Sequence, residues 1–104
     1  MTFYLESKKN NYQAMLEYKE GIYILKKGSI VSCSVSPHFR SHRAVEKKRR
    51  EAGLTSDNCV LQKDLEFSSS TVAGEFVSGS SCNGPSSWKT KHKITLKEWL
   101  SNQG

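Results

Sequence analysis

The stretch from Phe67 to Trp88 limits what this chain can fold into more than any other. It reads as a strand end, a capped helix, a glycine stop, an Asn-Gly pair and a tryptophan that closes the unit. Ser68 or Ser69 can be the N-cap, because a serine oxygen accepts a hydrogen bond from the free amides of the first helical turn. Val72, Ala73, Phe76 and Val77 then fall at i, i+1, i+4 and i+5, a single apolar stripe, with Gly74 beside it and Gly79 placed for the left-handed C-terminal position. A helix with such a stripe needs a sheet to lie on. Asn83-Gly84 suits a turn with positive φ, and Trp88 is expected to seal the core rather than stack on a base.

The residues that would supply the sheet come first. Thr2 to Glu6 is a short strand candidate, and Ser7 to Asn11 is a polar turn. Tyr12, Ala14, Leu16 and Tyr18 alternate with Gln13, Met15, Glu17 and Lys19, the two-residue period of a half-buried strand. Glu20-Gly21 turns the chain into Gly21–Lys26, Lys27-Gly28 turns it again, and Val31, Cys33 and Val35 alternate with serines, which together predict an antiparallel meander. A helix follows, starting either at Ser36-Pro37, where proline suits the first helical position, or at Ser41, and running to about Ala52 before Gly53 ends it. Leu61, Leu65 and Phe67 share a face broken at Lys63-Asp64. Lys89 to Lys93 is a polar connection, and Thr95-Leu-Lys-Glu98 is a capping box with Ile94 and Trp99 as its hydrophobic staple.

Phe67-Ser68-Ser69, Ala73, Gly79, Asn83-Gly84 and Trp88-Lys89 in this order resemble the small domain of unknown function found at the C-terminus of many GIY-YIG nucleases and in restriction-modification proteins. That domain is similar to the restriction-enzyme-adenine-methylase-associated (RAMA) domain. Gly21 to Ser29 resembles its strand and Gly-Ser turn, and Gly53-Leu54 the end of its first helix, so the resemblance runs from about residue 3 to residue 100. One departure stands out: the family usually has leucine or isoleucine in the helical turn before that glycine, where this chain has Arg49-Arg50. The resemblance implies an accessory, nucleic-acid-associated role.

A chain of 104 residues holds material for one core, and residues 1–104 are expected to form a single domain. Its net charge of +6 is unevenly spread. Residues 1–35 carry +2 and residues 55–104 are neutral, whereas between 36 and 54 Arg40, Arg43, Lys47, Lys48, Arg49 and Arg50 face only Glu46 and Glu51, leaving +4. A pI near 9.3 with this clustering favours a polyanionic partner over a small acidic substrate. No apolar run approaches the ~18 residues of a membrane span, and three widely spaced cysteines without a Cys-x-x-Cys pair suit reduced thiols and a cytoplasmic location. Cys33, Cys59 and Cys82 are each expected to be small buried hydrophobes.

Gly21-Ile22-Tyr23 spells the first half of the GIY-YIG nuclease signature, but Ile30 to Val35 contains no second tyrosine where the other half belongs. It is read as turn plus strand, and no catalytic activity is expected. His38 and His42 stand four apart without paired thiols or an acidic partner at fixed spacing, so no metal or other cofactor is expected. Arg40, Arg43, Lys47 and Arg50 recur at i, i+3, i+7 and i+10, within an arc of about 80° on a 3.6-residue helix, with Lys48 and Arg49 widening the positive surface and Ala44, Val45 and Ala52 left to pack it down. Lys26-Lys27, and Lys89 and Lys91 near Trp88, extend the candidate surface. The fold expected is α+β, an antiparallel sheet with about three helices packed on it. The function expected is a non-catalytic nucleic-acid-binding module, DNA favoured, with a protein-docking module as the alternative and no small-molecule substrate.

Overall fold

A computed structural model describes residues 1–55 and 57–103. It contains four strands, β1 (Thr2–Ser7), β2 (Tyr12–Lys19), β3 (Ile22–Leu25) and β4 (Leu65–Phe67), in one antiparallel sheet of order β1-β2-β3-β4. Four helices accompany it: α1 (His42–Glu51), α2 (Ser70–Ser78), the single turn α3 (Gly84–Ser87) and α4 (Leu96–Ser101). The architecture is the α+β class that the residue pattern predicts, with one short helix more.

Register follows from the alternation in the strands. Phe3 pairs with Leu16, Leu16 with Leu25 and Leu25 with Leu65, giving a row of apolar side chains straight across the sheet. Tyr18, Tyr23 and Phe67 form a second row on the same face. Because a strand turns successive side chains to opposite faces, Tyr4, Met15, Glu17, Ile24 and Glu66 point the other way. The β2–β3 connection is the two-residue loop Glu20-Gly21 with positive φ at both positions, whose twist matches that of the flanking strands.

On the core face, α2 lies as its stripe requires. Ser69, not Ser68, is its N-cap and accepts from the Val72 amide; Gly79 ends it at φ 72°. Ala73, Phe76 and Val77 are buried, but Val72 is 44% exposed, since one residue of four at the rim of the stripe turns past the sheet. The Asn-Gly pair does not form a positive-φ turn. Asn83 instead caps α3 by accepting from the Ser86 amide, Pro85 starts the turn, and Gly84 lies against the backbone of Ser70 and Thr71 so closely that a Cβ would collide with it. That approach brings Trp88 to full burial, with its indole Nε1–H donating to the Ser70 carbonyl at 3.0 Å. Thr95 caps α4 as read, while Ile94 remains exposed; Trp99 packs edge-on against Phe3 and Tyr18.

Two readings of the middle of the chain change. Residues 31–35 are not a strand. Between 30 and 35 isolated bridges are made by Ile30 alone, to Gln13 and Val60. The Val31 amide still donates to the Cys59 carbonyl, but from Ser32 on the chain turns to the end of α2, Ser32 donating to the Val77 carbonyl and Ser36 to that of Gly79, so the ladder does not continue. The helix of the basic segment starts at Ser41 rather than Ser36-Pro37, and its cap side chain makes no hydrogen bond. Residues 37–41 are turns, with Phe39 buried beneath them.

Replacing Trp88 with alanine is expected to cost ~3 to 5 kcal/mol, through a large cavity and an unmet Ser70 carbonyl. Thermal melting of the variant checks it; an unchanged Tm would make Trp88 a ligand-facing residue.

Candidate nucleic-acid interface

The basic segment resolves into two opposite faces of one helix. At 100° per residue, Val45, Arg49 and Ala52 point one way and are buried, while Arg43, Lys47 and Arg50 cluster within about 60° on the far side and are exposed. Arg40 precedes the N-cap, so it stands in the turn leading into α1 rather than on it, also exposed. Among the described residues no ion pair engages Arg40, Arg43, Lys47 or Arg50. Lys48 sits over the Phe67 ring at 4.1 Å, and Ala44, expected to pack, is exposed. Basic residues in the last turn, Lys48, Arg49 and Arg50, suit the negative end of the helix dipole.

Arg49 does not widen the positive surface. It is 7% exposed, and its guanidinium fills the C-terminal end of α2. Nε donates to the Phe76 carbonyl at 3.0 Å; Nη2 donates to the carbonyls of Phe76 at 2.7 Å and Val77 at 3.3 Å and to Ser32 Oγ at 3.1 Å; Nη1 donates to the Ser32 carbonyl at 2.7 Å. The last carbonyls of a helix have no partner within it and carry its partial negative charge, so a fork of cationic donors can be buried there without a carboxylate. Burial pulls the Arg49 pKa below its ordinary value, and the nearby Cys59, Cys33 and Glu46 pull it back. Where the family resemblance has an aliphatic residue, this chain places a cation and gives it the end of α2 as counter-charge.

The other sequence-predicted cations lie elsewhere. Lys89 exchanges backbone hydrogen bonds with Tyr4 and so borders β1, at the opposite edge of the sheet from β4, on which Lys48 of α1 rests. Three strand spacings, roughly 14 Å, separate β1 from β4. Lys89 and Lys91 therefore form a second patch rather than an extension of α1. Lys91 and His92 rim a surface hollow of about 520 Å³ whose walls include Tyr4, Ile94 and Trp99, a combination of cation and aromatic edge that can hold a base or another flat ring. Lys26 is withdrawn from any such surface by Asp64 at 3.2 Å and Glu17 at 3.5 Å. Asp64 is held below the usual carboxylate range first by the Lys27 amide and then by Lys26.

Gly21-Ile22-Tyr23 is turn and strand, with the Tyr23 ring tilted against that of Tyr18 at 5.1 Å between ring centres. His42 lies 3.8 Å from Glu46, and among the described residues no group of three or more His, Cys, Asp or Glu could hold a metal. Nor is any helix among them long and apolar enough to cross a membrane. The cysteines depart from expectation: Cys33 is exposed and Cys59 and Cys82 are half-buried.

Residues 3–100 match the family described as domain of unknown function (DUF4357). The chain belongs to that family. No curated protein and no solved structure matches it. The DUF4357 match runs from the second residue of β1 through nearly all of α4, so α1 and the Lys89–Lys91 patch both lie within it.

Sequence reasoning missed the role of Arg49. The available signal was its place, four residues after Val45 and three before Ala52, on the one face of α1 that holds apolar side chains. Arg49→Met is expected to destabilise the domain by ~2 to 4 kcal/mol, because the Phe76 and Ser32 carbonyls lose their donors while buried. Arg49→Lys, which keeps the charge but not the fork, should lose about half as much. Chemical denaturation measures both, and a Met variant as stable as the parent would refute the anchoring role.

Proposed function

We propose that this DUF4357 domain is a non-catalytic accessory module that binds nucleic acid, DNA in preference, through the exposed face of α1. The observation that supports this most directly is the segregation on α1. One cation, Arg49, is consumed by the fold, while Arg43, Lys47 and Arg50 are held outward by it and Arg40 stands in the adjoining turn, all without an acidic partner among the described residues. Like charges three and four residues apart repel, so an unrelieved cluster on a rigid helix is suited to phosphates, which relieve it by displacing counterions. Lys89 and Lys91 supply a second contact beside the hollow at Tyr4 and Trp99, where an unstacked base fits. The link to restriction-modification or nuclease systems, and a cytoplasmic setting, rest on the resemblance of the Phe67–Lys89 motifs and on the composition.

A second reading has an observation of its own. All the helix–sheet packing is on one face, and the opposite face exposes Tyr4, Met15 and Ile22, continued by Ile30 and Val60. Glu6, Glu17 and Glu66 lie among them, with Lys19 across from Ile22 and Lys26 paired to Glu17, a mixed-charge apolar surface that suits a protein partner, such as a separately encoded restriction or methylation enzyme. Of the aromatic residues whose exposure would favour docking, Phe39 and Trp88 are buried, while Trp99 is half-buried and lines the hollow beside Tyr4.

Binding to duplex DNA should weaken with salt at a log–log slope of about −0.9 per phosphate neutralised, and Arg43→Gln with Lys47→Gln should flatten that slope by about 1 to 2. Stability should hold or rise slightly, as repulsion along α1 is relieved. Titration at several salt concentrations, with melting of the double variant, tests this. Binding equal to the parent's, or none by the parent at low salt, transfers the function to the sheet face. With magnesium or manganese the protein is expected to leave plasmid DNA intact; nicking abolished by Tyr23→Phe would make it a nuclease instead.

A further inference from the structure

Cys33 and Cys59 stand 26 residues apart in sequence, yet the Cys59 thiol donates to the Cys33 sulfur at 2.8 Å. Two sulfurs that close need less than ~1 Å of further movement to reach the disulfide bond length of about 2.05 Å. Their backbones are already fixed together. The Val31 amide donates to the Cys59 carbonyl at 2.8 Å, and the Ser32 carbonyl, next to Cys33, is held by Arg49 at 2.7 Å. Cys33 is exposed and lines a surface hollow of about 290 Å³ together with Arg49, Arg50 and Glu46, so a small oxidant can reach it.

We propose that Cys33 and Cys59 are an oxidative modification site, converted by a peroxide into an intramolecular disulfide that closes a covalent ring around the whole of α1. The Cys33 thiolate attacks a peroxide oxygen; the O–O bond breaks, the departing alkoxide or hydroxide takes up from solvent the proton that the Cys33 thiol had released and leaves as alcohol or water, and Cys33 becomes a sulfenic acid. The Cys59 sulfur then attacks that sulfur, the S–S bond forms, and the hydroxyl leaves as water with the Cys59 proton. Two thiols lose two electrons to the peroxide. The assignment of roles follows from the surroundings. Burial first, then Cys33, pushes the Cys59 thiol up to about 11 against the pull of Arg49, so Cys59 keeps its proton until the second step. Cys82 is remote from this chemistry, with its sulfur against Gly74 in the α2–α3 unit. The ring would join the two segments that flank α1, the one carrying Ser32 and the one leaving Leu54. Oxidation thus acts on the element that presents Arg43, Lys47 and Arg50, whatever those residues bind.

The test exposes the reduced full chain to a few equivalents of hydrogen peroxide, alkylates the remaining thiols and maps peptides by mass spectrometry. The expected product links Cys33 to Cys59 with the loss of two hydrogens and leaves Cys82 alkylated. Its Tm should stand roughly 10 °C above that of the reduced chain, from the lost freedom of a long unfolded loop. Cys33→Ser and Cys59→Ser should each fold, form no cross-link between chains under peroxide and show no rise. Sulfinic acid at Cys33 with Cys59 still alkylated, a cross-link between chains, a bond through Cys82, or a linked product that melts no higher would each overturn the proposal.

Discussion

A guanidinium buried at the end of a helix is the interaction on which the rest of this structure depends. Arg49 reaches from α1 to the terminal carbonyls of α2 and to Ser32 in the segment between the sheet and α1, so one side chain joins three pieces distant in sequence. A buried charge is normally costly, and pairing it with a carboxylate often only recovers the loss. Here the counter-charge is a set of carbonyls that would otherwise be orphans of the helix end. Desolvation and satisfaction are thus met by the same contacts, and among the described residues no buried side-chain nitrogen or oxygen lacks a partner. The Arg49 contacts also explain why residues 31–35 leave the sheet. With the Ser32 carbonyl given to Arg49 and its amide to Val77, that residue has nothing left to offer a neighbouring strand.

Fixing Arg49 inward fixes everything else on α1 outward. On a helix of ten residues with Val45, Arg49 and Ala52 directed at α2, the positions opposite have no option but solvent or a ligand. The helix has no side-chain cap and no acid in its first turn, so its start is weakly held, while its last turn is held by Arg49 and by the run into Leu54. The cationic face is consequently carried on an element anchored at one end. On the proposed reading that division suits contact with a polyanion, because the anchored end sets the direction in which the cations point.

Much of the architecture was legible in the residues and part of the candidate site was not, for separable reasons. Period-two alternation in Tyr12–Lys19 placed its neighbours correctly because every inward residue there is apolar, so a register slip would turn the whole set outward. The Ser-capped helix with a glycine stop was equally clear, since cap and stop act through local backbone chemistry. Asn83-Gly84 misled because the same dipeptide serves a hairpin and a helix start, and the deciding contact, Gly84 on the Ser70–Thr71 backbone, is distant in sequence. Arg49 misled because a charge run hides which of its members is inward, and only the end of α2 makes one position hospitable to a guanidinium. The closeness of Cys33 and Cys59 had no local signature at all. It arises from the backbone hydrogen bond between Val31 and Cys59, which no spacing rule connects.

The finished domain is two-faced in chemistry as well as in shape. Helices cover one face of the sheet and carry the outward cations of α1; the other face is bare sheet with Tyr4, Met15 and Ile22 among glutamates. The unpaired cations of α1 favour a polyanion on the first, whereas on the second Lys19 and Lys26 offset the carboxylates, so the two faces do not compete for one partner. On the proposed reading, this is the layout of an adaptor, which holds nucleic acid on α1 while the sheet face remains available to protein. The order of dependence is physical: the bare sheet face rests on strand pairing and on the core beneath it, whereas the α1 face depends in addition on Arg49 holding the end of α2. Loss of the Arg49 anchor would therefore disorganise the cationic face before the sheet, and a partner docked on the sheet would still find its surface after the nucleic-acid face had gone.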